Sequence, residues 1–284
     1  MCRMRKSKMT VRELTERASS AESVLLVMNI DGMVPVASEM KPHRSHRSLW
    51  LEEAEPALLR LERLPGMSLG VVTGEGYGEL CQQTKRHRQL WRIAEHGAVV
   101  GMPGGGCLVE PSASALEVLA SLADEGNGGA VRLEGVLLDG GATTGVAIHA
   151  LAVKERGRAS VLSALIALSC RGRALGMKLV SGRLVVEAGR KEHRVADALE
   201  RVLEELPEEV LPIYAGCGPS DKPAMALTRS RGGIRVAVGS AEKCPADVVV
   251  PSIDAWVEAL WTIAEARMSR PVTEAASWGE ALPA

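Results

Sequence analysis

Phenylalanine is absent from this sequence and tyrosine occurs twice, so the flat aromatic platforms that stack bases or sugar rings are scarce. Cysteines are present but never in CxxC spacing. Cys2, Cys81, Cys107, Cys170, Cys217 and Cys244 lie far apart, which argues against both a zinc site and a disulfide framework. An excess of either charge is also missing. A formal net charge of -1 and a pI near 6.6 leave no electrostatic footprint for nucleic acid or an anionic membrane. The longest apolar-rich run, 159–170, is too short to span a bilayer. The basic start, Met1 to Lys6, is not followed closely by the apolar segment of a secretory signal. These absences together give the expectation of a reduced, soluble, cytoplasmic protein with neither a nucleic acid nor a membrane as partner.

What is present is an ordinary globular composition, 46% hydrophobic and 24% charged, over 284 residues. That length accommodates one large or two modest domains. The run Val24-Leu25-Leu26-Val27-Met28 shows no alternation and reads as a strand buried on both faces. Asn29, Asp31 and Gly32 follow it, turn chemistry at a strand's carboxyl end. Ligand crevices of open α/β sheets lie outside those ends. A second buried strand, Ser68 to Thr73, ends in a hydroxyl followed by Gly74, and further strands are expected near Trp91–Ala94, 209–215, 234–238 and 246–250. Helices are expected at 49–64, with Pro56 unfavourable in its first turn, at 77–88, 192–206 and 223–230, and from a Ser252 cap to about 268. Residues up to about 19 read as a short helix or a frayed arm. Strands alternating with helices predict a doubly wound parallel sheet.

Met102-Pro103-Gly104-Gly105-Gly106 reads as a linker. Beyond it come short strands at 136–138 and 145–149, helices at 112–123 and 160–169, and a hairpin turning at Ser181-Gly182. This texture predicts a smaller α+β domain inserted in the first. The expected division is a core over 20–106 and 185–268, a cap over 107–184, and a loose tail over 269–284.

Four motifs at matching places make the pattern specific: Asn29-Ile30-Asp31-Gly32, Thr73-Gly74, Glu95-His96-Gly97-Ala98, and Tyr214-Ala215-Gly216-Cys217-Gly218-Pro219-Ser220-Asp221-Lys222. In order and spacing they resemble the trehalose-6-phosphate phosphatases of the haloacid dehalogenase (HAD) superfamily. The resemblance implies a HAD-like Rossmannoid core with an inserted cap. It also implies an Asp nucleophile at position 29, with Asp31 as general acid/base. Thr73, Gly32, Gly74, His96 and a lysine would lie around the phosphoryl group, and Asp31 and Asp221 around Mg²⁺. Such chemistry needs a cation because a dianionic phosphoryl group must meet an anionic nucleophile.

The chain departs from the family at its charged positions. Asn29 replaces the nucleophile, Cys217 and Gly218 replace two adjacent carboxylates, and Glu75 stands where the family has Arg. The register puts Val195 at the lysine position, with Lys191 and Arg194 nearby as substitutes. A neutral amide cannot readily form the acyl phosphate, so the expectation is an impaired or inactive relative with weak or absent Mg²⁺ binding. Such a protein would bind a small phosphorylated sugar or serve a protein partner in trehalose synthesis. The alternative is an active phosphatase, converting trehalose 6-phosphate and water to trehalose and phosphate, with a rearranged site that uses Cys217. Each residue also has a plainer role available. Thr73 can satisfy a strand-end backbone group, His96 can pack a hinge, and Arg190, Lys191 and Arg194 can form a solvated basic face.

Overall fold

A computed structural model describes residues 9–31, 46–109, 137–139, 145–149, 177–181, 185–190, 195–216, 218–239 and 245–270. The expected helices at 112–123 and 160–169 and the tail beyond 270 lie outside these residues. The strands are β1 (Val24–Asn29), β2 (Met67–Val72), β3 (Leu90–Ala94), β4 (Val99–Gly101), β5 (Cys107–Val109), β6 (Leu137–Asp139), β7 (Gly145–His149), β8 (Met177–Ser181), β9 (Val185–Arg190), β10 (Leu211–Gly216), β11 (Ile234–Val238) and β12 (Val248–Val250). The helices are α1 (Val11–Ser20), α2 (His46–Glu62), α3 (Tyr77–Gln83), α4 (Val195–Glu204), α5 (Lys222–Ser230) and α6 (Ile253–Met268).

Eight strands form one sheet in the order β12-β11-β10-β1-β2-β3-β4-β5, parallel from β12 through β3 and antiparallel at β4 and β5. The central strand reads as its sequence suggested. Val24, Leu26 and Met28 face a core shared with α1, α2 and α6, while Leu25 and Val27 face a second core with α4 and α5. Alternate side chains of one strand thus enter different apolar layers, which is why the run shows no polar alternation. β1 is flanked by β2, its next strand in sequence, and by β10, which arrives after the second sheet. The connections therefore leave β1 in opposite directions. The switch point between β1 and β10 opens at their carboxyl ends.

Three features differ from the sequence reading. The glycine-rich stretch after Gly101 is the turn of an antiparallel hairpin, not a linker. Gly104, Gly105 and Gly106 all take positive φ there, and Met102 N–H bonds Gly106 C=O. Second, α2 passes through Pro56 and begins at His46. Pro56 is on the exposed side, so solvent can satisfy the carbonyl it leaves unpaired. Third, α3 stops at Gln83 because Thr84 caps it and the buried Arg92 guanidinium donates to the Thr84 hydroxyl and carbonyl. Of the two forms expected for the N-terminal residues the short helix is the one seen, and α1 is firmly docked. A Thr10–Glu13 capping box starts it, Leu14 and Ala18 are buried, and Arg267 of α6 donates to the carbonyls of Ala18 and Ala21 at its end.

β6–β9 form a separate four-stranded antiparallel sheet in the order β6-β7-β9-β8. β5 still belongs to the large sheet and β9 to the small one. Sheet membership therefore changes after Val109 and again after Arg190, a few residues beyond the texture changes at 107 and 184.

Candidate functional site

The carboxyl ends of β1, β2, β3 and β10 gather Asn29, Asp31, Thr73, Gly74, Glu95, His96, Gly218 and Asp221. Gly32, Lys191, Arg194 and Cys217 lie outside the described residues. Asn29 sits at the centre, 5% exposed. Its Oδ1 accepts from the Asp31 backbone N–H at 3.0 Å, and its Nδ2 donates to Asp221 Oδ1 at 2.6 Å. A backbone donor on one side and a carboxylate on the other fix which end of the amide is which.

Asp221 is fully buried. Besides Asn29, the Tyr214 hydroxyl donates to its Oδ1 at 2.7 Å and the Gly218 N–H to its Oδ2 at 2.6 Å. Gly216 makes room for this carboxylate: a Cβ there would stand 2.6 Å from it. Burial first, then the Asp221 charge, holds the Tyr214 phenol well above its ordinary range, so it stays a donor.

Asp31 has a different setting. It is half-buried, with Oδ1 taking the Thr73 hydroxyl at 2.8 Å and Oδ2 the Gly74 N–H at 2.5 Å. The Thr73 oxygen also accepts from Glu75 N–H at 3.1 Å, and Glu75 holds Gln83 at 2.9 Å. The His96 ring lies over Gly74, where a Cβ would stand 2.6 Å from its Nε2. Glu95 and His96 reach that position through left-handed backbone, φ 53° and 56°, followed by Gly97 at 98°. Three left-handed residues in a row, two of them not glycine, are costly, on the order of 1–3 kcal/mol each for the non-glycines. Bonds from His96 N–H to Thr73 C=O and from Glu95 N–H to Glu75 C=O hold the turn, with buried Glu95 accepting from Tyr77 N–H.

Tyr214 and Glu95 were not singled out as site residues by the sequence reading. A tyrosine inside an otherwise apolar buried strand needs a partner for its hydroxyl, and that was the available signal for Tyr214. For Glu95 the signal was a carboxylate immediately before a His-Gly turn.

The resemblance implies Mg²⁺ around Asp31 and Asp221, close to position 29, and the donors at Asp221 do not fit it. A hard cation needs carboxylate or carbonyl oxygens. Asn29 turns its N–H₂ toward Asp221, and Asp221 already receives three protein donors. Among the described residues no group of three or more His, Cys, Asp or Glu side chains is placed to hold a metal.

With this geometry in place, comparison with known proteins defines the class of fold. No family model matches the sequence, and no curated protein matches it. Solved structures do. A haloacid dehalogenase-like hydrolase from B. subtilis is 16% identical with a TM-score of 0.50, covering 84% of this chain and 98% of that one. More similar are two C. albicans domains. The C-terminal domain of trehalose-6-phosphate phosphatase is 14% identical with a TM-score of 0.74, covering 92% of this chain and 99% of that one. The C-terminal domain of the trehalose synthase regulatory protein is 16% identical with a TM-score of 0.68, covering 92% and 100%. The fold is therefore the HAD-like α/β fold of the trehalose-6-phosphate phosphatase structures, as the motifs led one to expect. No helix among the described residues is long and apolar enough to cross a membrane.

Proposed function

We propose that this chain is a catalytically impaired or inactive relative of the trehalose-6-phosphate phosphatases. In this reading it acts in the cytoplasm, binding a phosphorylated sugar or serving as a regulatory partner in trehalose metabolism, with the insert between Val109 and Arg190 as its cap. One observation carries the reading: the Asn29 amide donates to buried Asp221 at 2.6 Å. An amide in the nucleophile's place is a poor nucleophile, and here its nitrogen occupies the side on which a cation would be needed. The Asp221 carboxylate takes hydrogen bonds from Asn29, Tyr214 and Gly218, donors that already offset its charge. Loss of a nucleophile costs on the order of 10⁶-fold where residues act as a unit. The likeness of fold to a regulatory protein's domain as well as to a phosphatase's is compatible with either outcome for turnover.

The test is hydrolysis of trehalose 6-phosphate and of a generic aryl phosphate, with and without Mg²⁺. The expected result is no turnover above the rate without protein, alongside calorimetric binding of the sugar phosphate or of a partner. Mg²⁺-dependent turnover by the unmodified chain would overturn the reading.

A further inference from the structure

A surface groove of about 510 Å³ lies between α2 and α6, and none of its lining residues belongs to the strand-end site. Ala264 is buried and Leu59 half-buried, so they form its floor, while Pro56, Trp261 and Met268 are exposed at its sides. Trp261, 38% exposed, and Met268, 47% exposed, are the exposed large hydrophobic side chains among the described residues, and both stand here. Seven residues apart on α6, they share one face of that helix. A single exposed apolar side chain needs no explanation, but two on one groove beside arginines do. Trp, Met and Arg are the residues enriched where proteins meet.

The charges of this face are divided between its helices. Arg60 and Arg63 stand on the α2 side of the groove and Glu265 on the α6 side, with Glu258 in the same α6 row a turn before Trp261. All four are exposed, and none forms an ion pair among the described residues. Arg60 Nε donates instead to Met268 Sδ at 3.0 Å, a weak acceptor. The one basic residue of α6, Arg267, is turned inward to backbone carbonyls. A uniformly acidic partner would meet the α6 carboxylates, and a uniformly basic one the α2 arginines. A twofold contact between copies needs a surface complementary to itself, and this one carries opposite charges on either side of an apolar centre.

We propose that the α2–α6 face is a self-association surface, on which a second copy of this chain seats about a twofold axis. α2 of each copy lies over α6 of the other, and Trp261 enters the other copy's groove. Arg60 and Arg63 of each then pair with Glu258 and Glu265 of the other. Helices of 17 and 16 residues are about 25 Å long and roughly 10 Å across, so the two side by side present roughly 500 Å². That is below the ~800 Å² each partner gives to a standard interface, so the dimer is weak, with a Kd on the order of micromolar.

The experiment measures the mass of the full chain by sedimentation equilibrium from about 1 to 100 μM, a range set by that affinity. The expected result is a rise with concentration from the 30.1 kDa monomer toward twice that mass, reduced at high salt. Trp261→Glu should weaken association by at least about 30-fold, the scale of an interface anchor. Two charge-reversed chains, Arg60→Glu with Arg63→Glu and Glu258→Arg with Glu265→Arg, should each self-associate less than the parent. An equimolar mixture of the two should recover association, which damage to the fold would not allow. A chain that is monomeric at every concentration overturns the proposal and leaves the groove to residues 271–284 or to another protein. So does a dimer whose Kd Trp261→Glu leaves unchanged, or a mixture that associates no better than its components.

Discussion

Asp31 and Asp221 are both held at the carboxyl end of the same sheet, two residues after β1 and five after β10, yet their surroundings differ. Asp221 is sealed from solvent and takes donors from three separate residues, including the Asn29 amide. Asp31 is half-buried and is held by the hydroxyl and N–H of neighbouring Thr73 and Gly74. A carboxylate with its charge spent on buried donors is part of the fold's polar core, and removing it orphans every donor. One at a strand-end loop that still meets solvent is positioned rather than buried. The two sides of the strand-end crevice thus have different emphases: structure on the β1–β10 side, a solvent-accessible, ordered carboxylate on the β1–β2 side.

Asp221→Ala tests the sealed side most severely. It strands the Asn29 N–H₂, the Tyr214 hydroxyl and the Gly218 N–H, at ~1–3 kcal/mol for each donor left unsatisfied. The expected loss is about 3 kcal/mol or more, measured by urea denaturation. A loss under about 1 kcal/mol would erase the contrast with Asp31.

Asn29→Asp comes next. It replaces a donor by a second carboxylate against Asp221, so one member of the pair must have a raised pKa. The folded pair then binds protons more tightly than the unfolded chain. By linkage, the variant's stability falls as pH rises above the ordinary carboxylate range and recovers as pH falls toward it. A deficit of roughly 2–3 kcal/mol at pH 7 is expected from the lost charge-assisted bond and the repulsion. Turnover should stay at background, with Mg²⁺ binding by calorimetry returning only when Cys217→Asp and Gly218→Asp are added. Robust hydrolysis by Asn29→Asp alone would show that nothing else in the site had been lost.

Gly74→Ala probes the solvent-facing side. The added methyl would meet the His96 Nε2 at 2.6 Å and the Asp31 carboxylate at 3.2 Å, so the imidazole must swing away. The expected cost is about 1–2 kcal/mol, within the range for overpacking. His96 resonances should shift in the NMR spectrum while those of Tyr214 do not.

The smallest effect is expected from Tyr214→Phe, about 1 kcal/mol, since Asn29 and Gly218 still serve Asp221. Tyr77 and Tyr214 are the chain's two tyrosines and both are held above the ordinary value of 10. A raised folded pKa means stability that is complete below pH 10 and lost as pH climbs through the folded values. Phenolate absorbance should therefore stay silent near pH 10 and rise only with unfolding at higher pH. With Tyr77 replaced by Phe, a tyrosine titrating near 10 in the folded protein would break the assignment of Tyr214 as a buried donor to Asp221.

Much of this was legible in the residues themselves. An uninterrupted apolar run ending in Asn-x-Asp-Gly specifies a strand buried on both faces and a turn at its end, because alternate side chains need apolar partners above and below. The Ser252 cap and the apolar spacing after it marked α6. The sequence could also say that an amide, Asn29, stands at the end of this strand. It could not say that the stretch from Met102 to Gly106 closes a hairpin, since the same glycines serve a linker or a tight turn until β4 and β5 pair. Nor could it say that Asn29 meets Asp221, 192 residues away in sequence, or that Tyr214 supplies the second donor. Those contacts depend on which strands lie beside β1, and strand order is set by how the helices cover the two faces. Residue order alone thus set which chemistry stands at each strand end. That one carboxylate is buried as part of the core, and the other held at the crevice, followed from packing β10 rather than another strand against β1.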